Sequence, residues 1–107
     1  MKVYLDDERP IPEGWVGVKW PQEAIALPET GKVKSISLDH DLGDDSIGTG
    51  YDVLSWLEKA AYDGRLEIPV INIHTANPSA HQRMNLALRS IHKIVRERAK
   101  LIREGAL

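Results

Sequence analysis

Hydrophobic and polar positions in this chain fall into short apolar runs that end abruptly in polar residues. Val3 to Leu5 is followed at once by Asp6-Asp7, which predicts a buried strand ending in carboxylates. Pro10, Pro12 and Gly14 make the segment from Arg9 to Gly14 a loop. From Trp15 to Trp20, alternation of Trp15, Gly17 and Lys19 against Val16, Val18 and Trp20 predicts a second strand. Pro21 suits the first position of a helix, and Ala24, Ile25 and Leu27 fill a short one that Pro28 and Gly31 stop. Ser35 to Leu38 predicts a third strand, closed again by acid in Asp39-His40-Asp41.

The second half changes period. Leu42 to Gly50 holds three glycines and two further aspartates and reads as a loop. Thr49, three residues before Asp52, is close to a capping box, and Gly64 suits a helix C-terminus. Between them Val53, Leu54, Trp56, Leu57, Ala60 and Ala61 form one apolar helical face. Ile68 to Ile73 predicts a fourth strand, too continuously apolar to be half exposed. Asn77-Pro78 punctuates, and a long helix is expected from about Ser79 to Arg103. Its apolar stripe is Met84, Leu88, Ile91, Val95 and Ile102. Strands alternating with helices predict an α/β domain with a mainly parallel sheet.

Composition narrows the setting. A chain of 107 residues, 42% of them hydrophobic, has room for a single domain spanning 1–107 with one ordinary core. It has no cysteine, which excludes disulfides, thiolate nucleophiles and zinc ribbons and suits a reducing compartment. The N-terminal residues meet two carboxylates immediately, unlike a signal peptide, and no apolar run approaches the roughly 20 residues of a membrane span. The expectation is a soluble, cytoplasmic protein without a membrane partner, its oligomeric state left open. The net charge of −2 conceals an asymmetry. Residues 1–80 carry seven basic and fourteen acidic groups, a balance of −7, and residues 81–107 carry seven and two, a balance of +5. A basic last helix is ordinarily a solvated face, although it is also able to hold RNA or an acidic partner.

Candidate chemistry sits at the strand ends. Ligands of parallel sheets bind beyond the carboxyl ends of the strands, and three strands here end in Asp6-Asp7, Asp39-His40-Asp41 and His74-Thr75-Ala76-Asn77. If those strands are neighbours, the polar groups converge on one edge. Carboxylates crowded together call for a cation, and oxygen ligands favour a hard one: Mg²⁺ first, then Mn²⁺ or Ca²⁺. Imidazole from His40 or His74 would also suit Zn²⁺, Fe²⁺ or Mn²⁺, or would serve proton transfer. Asp39 could be a nucleophile, a ligand or both. Against these stand plainer readings: Asp-Asp after a strand as a turn, Asn77 as a helix cap, and Trp15, Trp20, Trp56 and Tyr51 as packing residues. His81 and His92, on a surface helix, are given no role.

The residues also resemble a known family. Val3 to Glu8, Val18 to Ile25, Ile36 to Asp39 and Ile68 to Ala76 are similar to response-regulator receiver domains. The closer resemblance is to cyclic-phosphate-processing receiver-like domains. It lies in Leu5-Asp6-Asp7-Glu8-Arg9-Pro10, Ile36-Ser37-Leu38-Asp39-His40-Asp41-Leu42-Gly43, Thr49-Gly50-Tyr51-Asp52-Val53 and Ile73-His74-Thr75-Ala76-Asn77-Pro78. The resemblance implies a small receiver-like, flavodoxin-like three-layer sandwich. The residues depart from the receiver pattern, since Arg9 to Gly14 is too short for the first crossover helix and nothing after Thr75 reads as a fifth strand. The sheet would therefore have about four mainly parallel strands, with a long C-terminal helix. The resemblance implies Asp6, Asp7, Asp39 and Asp41 as ligands of a divalent metal, Mg²⁺ or Mn²⁺. It also implies Thr75 as a phosphate-binding hydroxyl. The residues themselves suggest Arg9 and Asn77 as further phosphate holders, and His40 and His74, groups that signalling receivers do not need, as base and acid beside a catalytic Asp39. The implied activity is metal-dependent phosphoesterase chemistry on a cyclic phosphate, either an RNA 2′,3′-cyclic end or a cyclic nucleotide. The alternatives are a signalling or phosphate-binding module with Asp39 as phosphoacceptor, and a partner-binding protein using its basic last helix.

Overall fold

In the computed structural model, which describes residues 1–40 and 48–105, four parallel strands stand in the order β2-β1-β3-β4. They are β1 (Lys2–Leu5), β2 (Val16–Val18), β3 (Ser35–Leu38) and β4 (Val70–Ile73). The register aligns Val3 with Ile36 and Ile36 with Ile71, and aligns Leu5 with Leu38 and Leu38 with Ile73. One face therefore presents an unbroken apolar surface. Helices α1 (Pro21–Ala26), α2 (Gly50–Asp63) and α3 (Pro78–Arg103) bury it. Leu54, Leu57, Met84 and Ile91 join Val3, Leu5, Ile36 and Leu38 in a single core, all fully buried.

The chain forms these elements for local reasons. Pro21 occupies the first turn of α1, and Pro28 opens a 3₁₀ turn, Pro28–Thr30, rather than ending the helical path; Gly31 at φ 75° ends it. Thr49 caps α2 in a complete capping box with Asp52, and Gly64 at φ 67° closes the helix in the left-handed region. Asn77 caps α3 by accepting the Ala80 N–H at 3.1 Å.

The receiver-like α/β class, the four parallel strands, the missing first crossover helix and the long last helix are all as expected. Three details differ. Of the three layers expected, the described residues supply two. The steps β2–α1–β3 and β3–α2–β4 cross the sheet in the same direction, so their shared right-handedness puts both helices on one face. Helix α3 packs against α2 on that face too. A helix between β1 and β2 would have covered the other face. Second, β4 is an edge strand: Val70 is 64% exposed and Asn72 is exposed, although the run looked fully buried. Third, the stripe of α3 loses its cover. Its 26 residues span about 39 Å at about 1.5 Å each, far more than a four-residue strand, and Val95 and Ile102 are exposed. Strand β2 is also shorter than Trp15 to Trp20, because Trp20 is already the cap of α1.

The candidate metal and phosphate site

The sheet register builds the site. Backbone hydrogen bonds continue one step past the strands: Asp6 N–H donates to Val18, Asp39 N–H to Leu5 and His74 N–H to Leu38, at 3.1, 3.0 and 3.0 Å. Asp6, Asp39 and His74 therefore stand side by side on β1, β3 and β4. Side chains alternate along a strand, so these three share the face of Tyr4, Ser37 and Asn72. That is the face without helices among the described residues. The three strand ends converge as the sequence predicted.

Oxygen atoms of Asp6, Asp7 and Asp39 all lie within 4.8 Å of one another. Asp6 is 2% exposed and Asp39 8%. The Oδ1 of Asp6 accepts the N–H groups of Glu8 (2.8 Å) and Arg9 (2.9 Å), an arrangement that the turn after β1 imposes. The Oδ2 faces the Nε2 of His74 at 3.1 Å and lies 3.7 Å from the Arg9 guanidinium. Burial would raise the Asp6 pKa, but the two backbone N–H groups and His74 outweigh it, so the carboxyl titrates below its ordinary value. Asp39 is the opposite case: burial first, and then the charge of Asp6, push it up despite the His40 N–H that donates to its Oδ1 at 2.8 Å. Two neighbouring carboxylates thus titrate in opposite directions: hydrogen bonds favour the anion at Asp6, whereas burial and then the Asp6 charge disfavour it at Asp39.

The remaining predicted residues surround this cluster unequally. Arg9 reaches across from the β1 side to donate from Nη1 to the carbonyl of His74. His74 sits among three partners: its Nδ1 is 2.6 Å from Ser37 Oγ, its Nε2 faces Asp6, and its ring stacks on Tyr4 at 4.2 Å and 7°. Burial lowers its pKa, against the pull of Asp6. Thr75 Oγ1 accepts the Asn77 N–H at 3.2 Å, and the side-chain oxygen of Asn77 serves as the α3 cap. Asn77 is therefore at least a capping residue. His40 follows Asp39 directly, and its carbonyl accepts the Gly50 N–H at 3.4 Å, tying the end of β3 to the start of α2. A Cβ at Gly50 would fall on the Asp39 carbonyl oxygen, so this approach requires glycine. Asp41 lies outside the described residues.

Sequence reasoning missed Ser37 and Tyr4. Each reads as an ordinary strand residue, and the one available signal was that they precede Asp39 and Asp6 by two, hence on the same face. Trp15 behaves as a packing residue, meeting Tyr4 edge-on at 6.0 Å, and Trp56 packs under Arg65. Trp20 and Tyr51 are instead exposed. Among the described residues no helix is long and apolar enough to cross a membrane.

All donors of the cluster are carboxylate oxygens, the donor set of a hard divalent cation such as Mg²⁺ or Mn²⁺, and the raised Asp39 pKa is what a cation would relieve. No curated protein and no solved structure matches the chain. The family model for the cyclic-phosphate processing receiver domain, however, matches residues 1–90, which include every strand and the whole strand-end cluster. By that match, the chain belongs to the cyclic-phosphate processing receiver domain family.

Proposed function

We propose that this domain is a metal-dependent phosphoesterase that opens a cyclic phosphate, with an RNA 2′,3′-cyclic end or a cyclic nucleotide as its substrate class. The observation that carries the reading is the cluster of Asp6, Asp7 and Asp39 beside Arg9 at the strand ends. Asp6, Asp7 and Asp39 would hold the divalent cation, with Asp41 as a further carboxylate nearby in sequence. When bound, the cation supplies Lewis acidity at a phosphoryl oxygen and lowers the pKa of water. Arg9, half exposed at the rim, offers guanidinium N–H groups to the phosphate. The Thr75 hydroxyl is a further donor. His40, next to Asp39, is the candidate to move a proton at the attacking water or the leaving oxygen. Membership of a cyclic-phosphate processing family supports the substrate class.

The test is direct. The chain with Mg²⁺ or Mn²⁺ should open 2′,3′-cyclic or 3′,5′-cyclic phosphates, or cyclic-ended oligoribonucleotides. Asp39→Asn and His40→Ala should each lose activity, by about 100-fold or more for a group acting in proton transfer. Absence of turnover across that panel removes the enzyme reading.

A second reading follows from one specific placement. Asp39 directly follows β3 beside two acids, where receivers carry their phosphoacceptor, and Thr75 lies two residues beyond β4, near where they keep a phosphate-binding hydroxyl. In that reading Asp39 accepts a phosphoryl group and the domain signals. Acetyl phosphate with Mg²⁺ would then add one phosphoryl mass to the chain and none to Asp39→Asn, without turnover of cyclic phosphates.

A further inference from the structure

The imidazole of His74 is held on three sides. Its Nδ1 is 2.6 Å from Ser37 Oγ, its Nε2 is 3.1 Å from Asp6 Oδ2, and Tyr4 stacks on its face at 4.2 Å. Both ring nitrogens are thus engaged within the protein. A proton donor or acceptor for substrate needs one nitrogen facing the reacting atoms, and this ring aims its two at a strand hydroxyl and a carboxylate. Ser37 is itself 6% exposed, between β1 and β4, and it too is out of reach of a substrate.

The hydrogen-bond roles follow from the acceptor. An ionised Asp6 carboxylate only accepts, so Nε2 must carry the proton. In the neutral ring Nδ1 is then the acceptor, and the Ser37 hydroxyl must donate to it. Asp6 has its other oxygen held by the Glu8 and Arg9 N–H groups, so the carboxylate is anchored at both oxygens. Such a chain does for a carboxylate ligand what outer hydrogen bonds do at metal sites generally: it sets the ligand's orientation in advance.

We infer that Ser37 and His74 are positioning residues: Asp6 selects the Nε2–H tautomer of His74, the Ser37 hydroxyl donates to Nδ1 and holds the ring in place, and the Nε2–H orients Asp6 as a metal ligand. The inference rests on the reading of Asp6, Asp7 and Asp39 as a cation site. It assigns His74 a different task from acid–base catalysis and gives Ser37 a task that no sequence motif suggested.

The experiment has two readouts on the full chain. Long-range ¹H–¹⁵N correlation of the His74 ring, in metal-free protein at neutral pH, should show Nε2 protonated and Nδ1 bare. Ser37→Ala should keep that tautomer, since Asp6 selects it, but loosen the ring and weaken Mn²⁺ binding, and Ser37→Thr should restore the affinity. Titration with Mn²⁺ should then weaken by about tenfold or more in His74→Ala. His74→Gln, which places an amide N–H near Nε2, should keep most of the affinity and of any cyclic-phosphate turnover. A protonated Nδ1 in the wild type, or Mn²⁺ affinity that Ser37→Ala leaves unchanged, overturns the inference. So does Mn²⁺ affinity unchanged in His74→Ala, or turnover lost in His74→Gln with affinity retained. A wild-type chain that binds neither Mn²⁺ nor Mg²⁺ overturns instead the cation-site reading on which this one rests.

Discussion

The two faces of the sheet are built from the same strands and do opposite work. On the helix-covered face, Val3, Leu5, Ile36, Leu38 and Ile71 meet the apolar sides of α2 and α3, and nothing there has chemistry to offer. On the other face, Tyr4, Ser37 and His74 form a stack and a hydrogen bond that end at Asp6, and Asp39 lies alongside. Neighbours in sequence, Ser37 and Leu38, thus belong to different functions. The difference teaches that a domain this small separates stability from chemistry by strand alternation rather than by distance. The loop from Arg9 to Gly14 partly substitutes for the missing helix on the second face, where Ile11 lies so close over Gly17 that an added Cβ would come within 2.6 Å of it.

That contrast is open to attack, beginning on the covered side. Leu38→Ala, at a fully buried position, should cost about 2–5 kcal/mol in urea denaturation. A loss close to that of a surface change would mean that the core is not where the register puts it. Gly50→Ala strikes both faces at once, because its Cβ meets the Asp39 carbonyl. It should cost about 1–3 kcal/mol and also weaken Mn²⁺ binding, since the end of β3 must shift. Unchanged Mn²⁺ affinity in that variant would separate the helix contact from the site.

Smaller effects sharpen the open face. The His74 pKa is lowered in the fold from 6.5, so the unfolded chain takes up that proton first as pH falls. The stability that His74 contributes is therefore complete above about pH 6.5 and declines as pH drops from there toward its folded pKa. Asp39, raised from 3.8, acts in the opposite sense: the folded chain takes up its proton first, which favours folding as pH falls through its raised pKa toward 3.8. Metal-free denaturation across pH should show the decline below about 6.5 in the wild type and a flatter profile in His74→Gln. Identical profiles would mean that the ring is not buried as described. Last, Val70→Thr on the exposed side of β4 should change stability by no more than about 0.5 kcal/mol, whereas Ile71→Ala, one residue on, should cost several times that.

Much of this was legible in the residues. Apolar runs ended by acids gave the strand ends, and Thr49, Asp52 and Gly64 gave the limits of α2, because caps are local devices. The acid cluster was legible only as a condition, that three strands be neighbours. Edge position was not legible for β4, since apolar residues at Val70 and Ile71 read alike until one face is covered and the other is not. The stripe of α3 was legible in period but not in burial, because burial at Val95 and Ile102 depends on how far the sheet extends beneath them.

The sequence by itself determined what hydrophobic period and capping chemistry encode within a few residues: the strands, the helices and the carboxylates that follow β1 and β3. Only the tertiary structure decided that His74 turns both nitrogens inward and that Ser37 and Tyr4 hold it. Those contacts join residues 37 to 70 positions apart, and a parallel register sets them. A shift of that register by one residue would move every one of these side chains to the opposite face.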